Sequence, residues 1–429
     1  MRIPAAVALL LSVAAPLAGG QDQPARIPAI ERKPYTVGGF LETRPAMMWL
    51  DTGAALYKLR WYGSGEKRTS TQLNQQLLVD ASLRLGAWSV SSRSVLDVNK
   101  ADSWSARATS YEAYVSFKPA PSFTLDIGKK RQNWGKGYVW NPVAFVDRPK
   151  NPDDPSLAQE GFVVLSADYI TSFDGPLRTL SVTPVLIPVY DGLNAAYGRT
   201  GRVNAAGKLY ILLYDTDVDI LFLTGGSRPS RIGVDVSRNV LSNLEVHAEL
   251  AYIHDQGRST VDRDGRVRHT VGDATNYLAG LRYLTQSNTT FIVDYYHAAT
   301  GFTTAEMRDF FALARTAYED FVASGDTTGL KQAANAANLG YGAVNPMRDY
   351  LYVRVTQPDA FGVLYFNPAI FAVFNCADRS VAVTQELLFK PFANLELRSQ
   401  VGVIAGAKGT DFGEKQVAHK LELYARYYF

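Results

Sequence analysis

The chain ends Lys420-Leu421-Glu422-Leu423-Tyr424-Ala425-Arg426-Tyr427-Tyr428-Phe429, and this stretch decides the fold. Leu421, Leu423, Ala425, Tyr427 and Phe429 occupy every second position, with Lys420, Glu422, Tyr424, Arg426 and Tyr428 between them. Successive side chains of a strand point to opposite faces, so one face here is apolar and the other carries mixed charge. A soluble sandwich turns such a charged face to water and the apolar one to a second sheet. A transmembrane barrel does the reverse: lipid meets the apolar face, and a wet lumen meets the charged one.

The same alternation recurs upstream. Leu395, Leu397, Val401 and Val403 alternate with Glu396, Arg398 and Gln400. Leu244, Val246, Ala248, Leu250 and Tyr252 alternate with Glu245, His247 and Glu249, and Tyr277, Ala279, Leu281 and Tyr283 with Asn276, Gly280 and Arg282. Phe123, Leu125 and Ile127 alternate with Thr124, Asp126 and Gly128. These segments are close to the roughly 9 to 11 residues that a tilted strand needs to cross a bilayer. They are also too many for one sandwich of about seven to nine strands.

Short turns rich in Gly, Pro, Asn and Asp alternate with longer connections. The turns include Leu85-Gly86-Ala87, Asp174-Gly175-Pro176, Tyr214-Asp215-Thr216-Asp217 and Leu241-Ser242-Asn243. The longer connections are expected at about 133–160, 188–206, 255–275, 299–348 and 406–416. Counting back from Phe429 gives an all-β fold, a single antiparallel barrel of about eighteen strands, with sixteen as the second choice. The region 35–72 is ambiguous by one hairpin.

The opening residues give the destination. Met1-Arg2, the apolar run Ile3 to Leu17 and the small residues Ala18-Gly19-Gly20 read as an export signal over 1–20. A periplasmic segment over 21–34 and a barrel over 35–429 are expected to follow. No later stretch has 18 consecutive apolar residues, which excludes helical spans. Composition agrees with strands and turns: 24 Tyr, 20 Phe and 34 Gly in 429 residues. The 44 basic residues scarcely exceed the 41 acidic ones and do not cluster, so no nucleic-acid partner is expected. Cys376 stands alone, excluding an intrachain disulfide and a multi-Cys metal site.

Two stretches carry a resemblance. The terminal strand, with Tyr427 and Phe429 on its apolar face, resembles the C-terminal sorting signal of bacterial outer-membrane proteins. The segment Asp126-Ile127-Gly128-Lys129-Lys130-Arg131-Gln132-Asn133-Trp134-Gly135-Lys136-Gly137-Tyr138-Val139-Trp140-Asn141-Pro142 resembles a motif of porin-like outer-membrane barrels. Among these, the alginate-export type and its uncharacterised relatives are the most similar, and Phe412-Gly413-Glu414-Lys415 resembles their closing region too. The resemblance implies a Gram-negative outer-membrane location. It also implies contact with lipid and lipopolysaccharide, insertion by the barrel-assembly machinery and, for an exporter, a periplasmic partner. Alginate exporters have a lumen dominated by arginines, whereas the charges here are mixed.

Function is expected in the loops and lumen. The connection 133–160 combines Trp134, Trp140, Arg148 and Lys150 with Pro142, Pro149, Pro152 and Pro155, and Lys129, Lys130 and Arg131 feed into it. Proline fixes φ and stiffens a loop, while rings and cations can hold a sugar or an acidic group, so these seven residues are the constriction candidates. The equal alternative is that the two tryptophans only anchor the loop on the barrel rim. Asp147 to Asp154 offers carboxylates without the spaced series of a calcium loop, and no metal or cofactor is assigned. Thr303-Thr304-Ala305-Glu306 reads as a capping box opening a short helix with Met307, Phe310, Phe311, Ala314, Tyr318 and Phe321 on one face. That helix is expected to close over the mouth or pack on neighbouring loops. The alternation places Glu112, Asp126, Arg231, Asp235, Glu245, Glu249, Arg282 and Asp294 in the lumen, together with Arg354, Glu396, Arg398, Glu422 and Arg426. Such walls either set a field for polar solutes or pair with one another to stiffen the barrel.

Enzymatic activity is not expected. Asp217 and His254 would stand at opposite ends of the barrel, and no nucleophile, zinc or nucleotide motif occurs. The expected function is passive passage of a polar or extended solute through a charged lumen narrowed by loop 133–160. Two rival readings stay open: a non-conducting barrel that binds surface polysaccharide or an assembly partner, and a transporter of hydrophobic, lipid-like substrates.

Overall fold

The computed structural model describes residues 33–429 except 153, 155, 156 and 158. The expected export signal, residues 21–32 of the expected periplasmic segment, Asp153 and Pro155 lie outside the described residues. Eighteen antiparallel strands follow one another around a closed sheet. They begin with β1 (Tyr35–Leu50), β2 (Thr69–Leu85), β3 (Trp88–Lys100), β4 (Trp104–Ala120), β5 (Phe123–Lys130) and β6 (Phe162–Ser172). There follow β7 (Leu177–Val189), β8 (Arg202–Leu213), β9 (Thr216–Thr224), β10 (Arg231–Leu241), β11 (Leu244–Val261) and β12 (Val267–Leu284). The circle is completed by β13 (Thr290–Ala298), β14 (Asp349–Thr356), β15 (Phe366–Asn375), β16 (Val381–Phe392), β17 (Leu395–Ala405) and β18 (Val417–Tyr428).

Along β17 and β18 the sheet is polar inside and apolar outside. On β17 and β18 the outward Val401, Leu423 and Tyr427 are 44%, 48% and 50% exposed, while the inward Gln400, Tyr424 and Glu422 are 2%, 5% and 8% exposed. That inversion fits a barrel with a polar interior and not a sandwich.

Closure between β18 and β1 removes the last strand edge. Phe429 and Gly39 exchange both backbone hydrogen bonds, at 3.1 and 3.2 Å. A Cβ on Gly39 would meet the Leu78 carbonyl oxygen at 2.0 Å, so only glycine fits there. Inside the seam Arg426 reaches Glu42 at 2.7 Å, and the Tyr428 ring meets Phe40 edge-on.

The two ends of the barrel differ. One end has tight turns, such as Tyr214-Asp215, where both residues adopt the positive φ of a two-residue hairpin. The other end carries the long connections, with one correction to the sequence reading. The connection expected over 255–275 is only 262–266, because β11 and β12 resume pairing at Gln256 beyond an irregularity at Asp255, whose φ is +52°. A bulge re-aims the ladder without ending it.

Three helices close over this end: α1 (Ala55–Trp61), α2 (Thr304–Ser324) and α3 (Thr328–Ala336). The helix expected in 299–348 is therefore two helices, the first of 21 residues, joined through a left-handed Gly325. The capping box forms as read, with Thr303 and Glu306 each satisfying the other's backbone N–H. Met307, Phe310, Phe311 and Ala314 bury one face of α2 against Ala333 and Ala336 of α3, the Phe302 and Tyr341 rings, and Phe412 of the last loop. Polar ties hold the lid to the wall. Arg258 of β11 donates to Glu306 at 2.9 Å, Tyr341 Oη accepts Val261 N–H at 3.0 Å, and buried Glu414 accepts Ala55 N–H at 2.7 Å and pairs with Arg315.

Phe310→Ala is expected to cost about 3–5 kcal/mol locally. It should accelerate amide exchange through α2 and α3 while the barrel keeps its folded mobility on an unheated gel. Acid should loosen the same lid. Burial alone raises the Glu306 carboxyl, but bonds from Arg258 and Thr303 bring it below its ordinary 4.5. Its contribution is therefore complete above about pH 4.5 and fades as pH falls through the lower folded value. The protection of the α2 amides, corrected for the intrinsic exchange rate at each pH, should fall from pH 6 to pH 3, and Glu306→Gln should flatten that dependence.

Candidate functional site

Between β5 and β6 the chain does not stay outside. Residues 131–161 turn into the barrel, where a loop has no ladder to satisfy its backbone and needs other acceptors. Carboxylates supply them. Asp147 accepts the N–H groups of Gln132 and Trp134 at 2.8 and 3.0 Å. Glu249 of β11, 2% exposed, accepts those of Lys136, Gly137 and Val143 at 2.6, 2.7 and 3.3 Å, and the Asn141 amide at 3.0 Å. Asp294 of β13, fully buried, accepts Tyr138 N–H at 2.9 Å and a ring nitrogen of His247 at 3.0 Å. An ionised carboxylate can accept several donors at once, and such charge-assisted bonds are the strong ones.

This geometry explains the Trp-Gly-x-Gly stretch. Gly135 has φ +96°, and a Cβ there would meet Asn141 at 2.6 Å and Glu249 at 2.9 Å. At Gly137 it would strike the Trp140 carbonyl oxygen at 2.1 Å. Trp134 packs with Phe145, Phe162, Tyr197 and Leu221, filling the side of the interior under β6–β9. Trp140 stacks on Tyr296 with centroids 5.2 Å apart and joins the apolar cluster of the lid. Both tryptophans are therefore buried, 3% and 8% exposed, in apolar clusters that hold the loop against the wall and the lid.

Within the loop lies a cavity of about 480 Å³, lined by Arg131, Arg148, Lys150, Arg228 and Arg231 with Trp134, Trp140 and Tyr296. Its carboxylate, Asp147, has both oxygens engaged by the backbone. Lys150 donates to the carbonyls of Gly137 and Tyr138 at 2.6 and 3.2 Å, and Arg148 reaches Glu160 at 3.3 Å. Among the described residues Arg131 and Arg231 form no ion pair, and Arg228 lies over the Tyr197 ring at 3.8 Å. Five of the seven constriction candidates meet here. Lys129 instead pairs with Glu160 at 2.5 Å, and Lys130 pairs with Asp126 on its own strand.

The charges expected in the lumen fall into three groups. Under β9–β13, Asp235 is fully buried, and Lys136 of the loop stands 3.7 Å from it and 3.0 Å from Asp219. Glu245 accepts the Tyr138 hydroxyl at 3.3 Å, and Arg282 lies beside the same tyrosine. Along β14–β18, Arg354 holds Glu386 at 2.6 Å, Arg426 faces Glu396 at 3.8 Å, and Lys420 meets Glu422 at 2.8 Å. Arg398 reaches Asp154 of the loop at 3.2 Å, so the loop crosses from β11 and β13 to β17. Around β2–β4, Arg93 sits 2.6 Å from Asp80 and 3.8 Å from Glu112, with side chains 36% and 43% exposed for Arg93 and Asp80. Water thus reaches this wall, while Asp235, Glu249 and Asp294 on the opposite one are dry. His254 pairs with Asp273 at 2.9 Å at the loop end, far from Asp217, which holds the Tyr210 hydroxyl beside a turn.

Asp219, Arg228 and Tyr296 were not singled out in the sequence as site residues. Asp219 and Tyr296 sit at ordinary inward strand positions, and Arg228 follows β9 in a short connection with no local mark. Glu249→Ala is expected to release the loop at a local cost of about 3–5 kcal/mol, since it strips buried donors of their acceptor. The amides of Lys136, Gly137 and Val143 should then exchange roughly a hundredfold faster or more, with the barrel intact.

No family model matches this sequence, and no curated protein matches it either. Solved structures do match in fold. OccAB1 of Acinetobacter baumannii aligns over 92% of this chain and 96% of its own at 10% identity and a TM-score of 0.52. OccAB3 of the same organism aligns over 92% and 99% at 10% identity and 0.51, and Pseudomonas aeruginosa OccK7 (OpdD) over 92% and 98% at 11% identity and 0.52. At these identities the likeness concerns architecture alone: the chain has the closed barrel fold of outer-membrane porins.

Proposed function

We propose that this protein is a passive channel of the bacterial outer membrane for small acidic or mixed polar solutes, narrowed by the loop 131–161. The observation that carries the reading is the loop itself. It is hung on Glu249 and Asp294, crosses to Arg398, and encloses a cavity whose cations outnumber its one committed carboxylate. Fixed positive charge in a narrow, poorly hydrated place favours anions over cations. The solvated strip along β2–β4 supplies a polar route past the loop. The fold shared with outer-membrane porins supports passage without energy input. The outward apolar band, ending in Tyr427 and Phe429, supports contact with lipid and lipopolysaccharide and insertion through the terminal strand. A polyuronate, the solute of alginate exporters, is less favoured, because Glu42, Glu386, Glu396 and Glu422 share the wall with its arginines.

One observation favours the rival reading of a closed, binding barrel: α2 and α3 bury an apolar face over the mouth and leave little give there. Planar bilayers separate the two. The native chain is expected to give small, anion-preferring steps, and replacing 303–345 by a short linker should enlarge them severalfold. Neutralising Arg131 and Arg148 together to Gln should shift the reversal potential toward cation permeation. Silence from folded native and lid-less barrels alike would leave the binding reading in possession.

A further inference from the structure

We infer that the mouth of the barrel holds a second site, a pocket beneath the lid that binds a small amphiphilic organic anion: an aryl or short alkyl body bearing one carboxylate. It is separate from the cavity in loop 131–161, and it does not depend on conduction.

The pocket has a volume of about 670 Å³, within the range of roughly 300–1,000 Å³ usual for small-molecule sites. Its walls come from α1, α3 with the turn after it, the loop 406–416, and the inner upper ends of β16–β18. The void has a definite cause. Small residues face one another across it, Ala334 of α3 and Ala337 just after it from the lid, and Ala382 and Gly402 from the wall. The neighbouring lid interior, by contrast, is filled by Phe310, Phe311 and Tyr341. A Cβ on Gly402 would find nothing nearer than the Thr384 hydroxyl at 3.6 Å, so the space is open on that side.

The chemistry of the lining selects the ligand. Leu56, Leu59, Ile404 and Phe412 give it an apolar interior. Its ionisable residues are Arg60, Lys415, His419 and Lys420; neither Asp nor Glu is among them. Two of these cations are engaged: Lys415 donates to the Ala343 carbonyl at 2.8 Å and pairs with Asp411 at 3.1 Å, while Lys420 pairs with Glu422 at 2.8 Å. Arg60 is exposed, lies 5.6 Å from the centroid of the Trp61 ring, and among the described residues pairs with no carboxylate. A guanidinium at the edge of an apolar chamber suits a carboxylate on an apolar body. A hydrophilic acid would leave the apolar walls wet, and an amine would meet only cations.

The test uses the full chain, folded in lipid nanodiscs, with 4-phenylbutyrate as the probe in equilibrium dialysis and 4-phenylbutylamine and gluconate as matched controls. Phenylbutyrate is expected to bind saturably at one site. Binding should weaken at least tenfold in Gly402→Leu, which fills the void from the wall, and in Ala337→Phe, which fills it from the lid. Arg60→Gln should weaken it severalfold, and neither control should saturate. Partitioning without saturation, equal binding of the amine, or native-like binding in both filled variants overturns the proposal. So does a loss caused instead by Arg131→Gln with Arg148→Gln, which would place the anion in the loop cavity. Conductance is not read in this experiment, so its failure and that of the channel reading come apart.

Discussion

The interior of this barrel depends on two buried carboxylates. Glu249 and Asp294 project from the wall at places where charge would be costly without partners, and the inward loop supplies those partners as backbone N–H groups. The dependence runs both ways. Without the carboxylates the loop would bring unsatisfied donors into a dry space; without the loop Glu249 would lose Lys136, Gly137, Asn141 and Val143, and Asp294 would lose Tyr138 and keep His247. Neither element is stable in that place alone, and this fixes where the chain narrows.

The same arrangement divides the lumen. Beneath β6–β13 the loop and its tryptophans exclude water from Phe162, Ile187 and Leu221 and from the buried Asp235, Glu249 and Asp294. Around β2–β4 Leu78 and Val95 are buried, while Arg93 and Asp80 beside them stay hydrated. The barrel is therefore an asymmetric tube with one packed side and one wet side. The hydrated side carries the ion pair of Arg93 with Asp80, and the wall of β14–β18 those of Arg354 with Glu386 and Lys420 with Glu422.

Much of the fold was legible in the sequence because period-2 alternation is a local signal. Leu421, Leu423 and Tyr427 against Glu422, Tyr424 and Arg426 give the two faces of a strand, and repetition of the pattern gives eighteen of them. Turn chemistry and the Thr303–Glu306 capping box were local too. The extent of β11 and β12 was not, since Asp255 breaks the pattern for a residue while the ladder continues through backbone bonds. The site was legible only as a list. The 126–142 stretch marks the loop by its glycines and tryptophans, but nothing near Gly137 says that its partner is Glu249. Nor does anything near Asp154 announce Arg398. Those pairings arise from the curvature of a closed sheet, which no short window of sequence contains.

Sequence distance also has a consequence for the order of assembly. Gly137 and Glu249 are 112 residues apart, Tyr138 and Asp294 are 156 apart, and Ala55 and Glu414, which tie the lid, are 359 apart. Long-range contacts of this kind form only after the intervening chain has been placed. Whichever end of the sheet forms first, the loop keeps its donors bonded to water until it meets β11 and β13, and the lid stays unlatched until α1 and the loop before β18 are both in position. Narrowing and capping are thus properties of the closed sheet, since each joins strands or loops that stand more than a hundred residues apart.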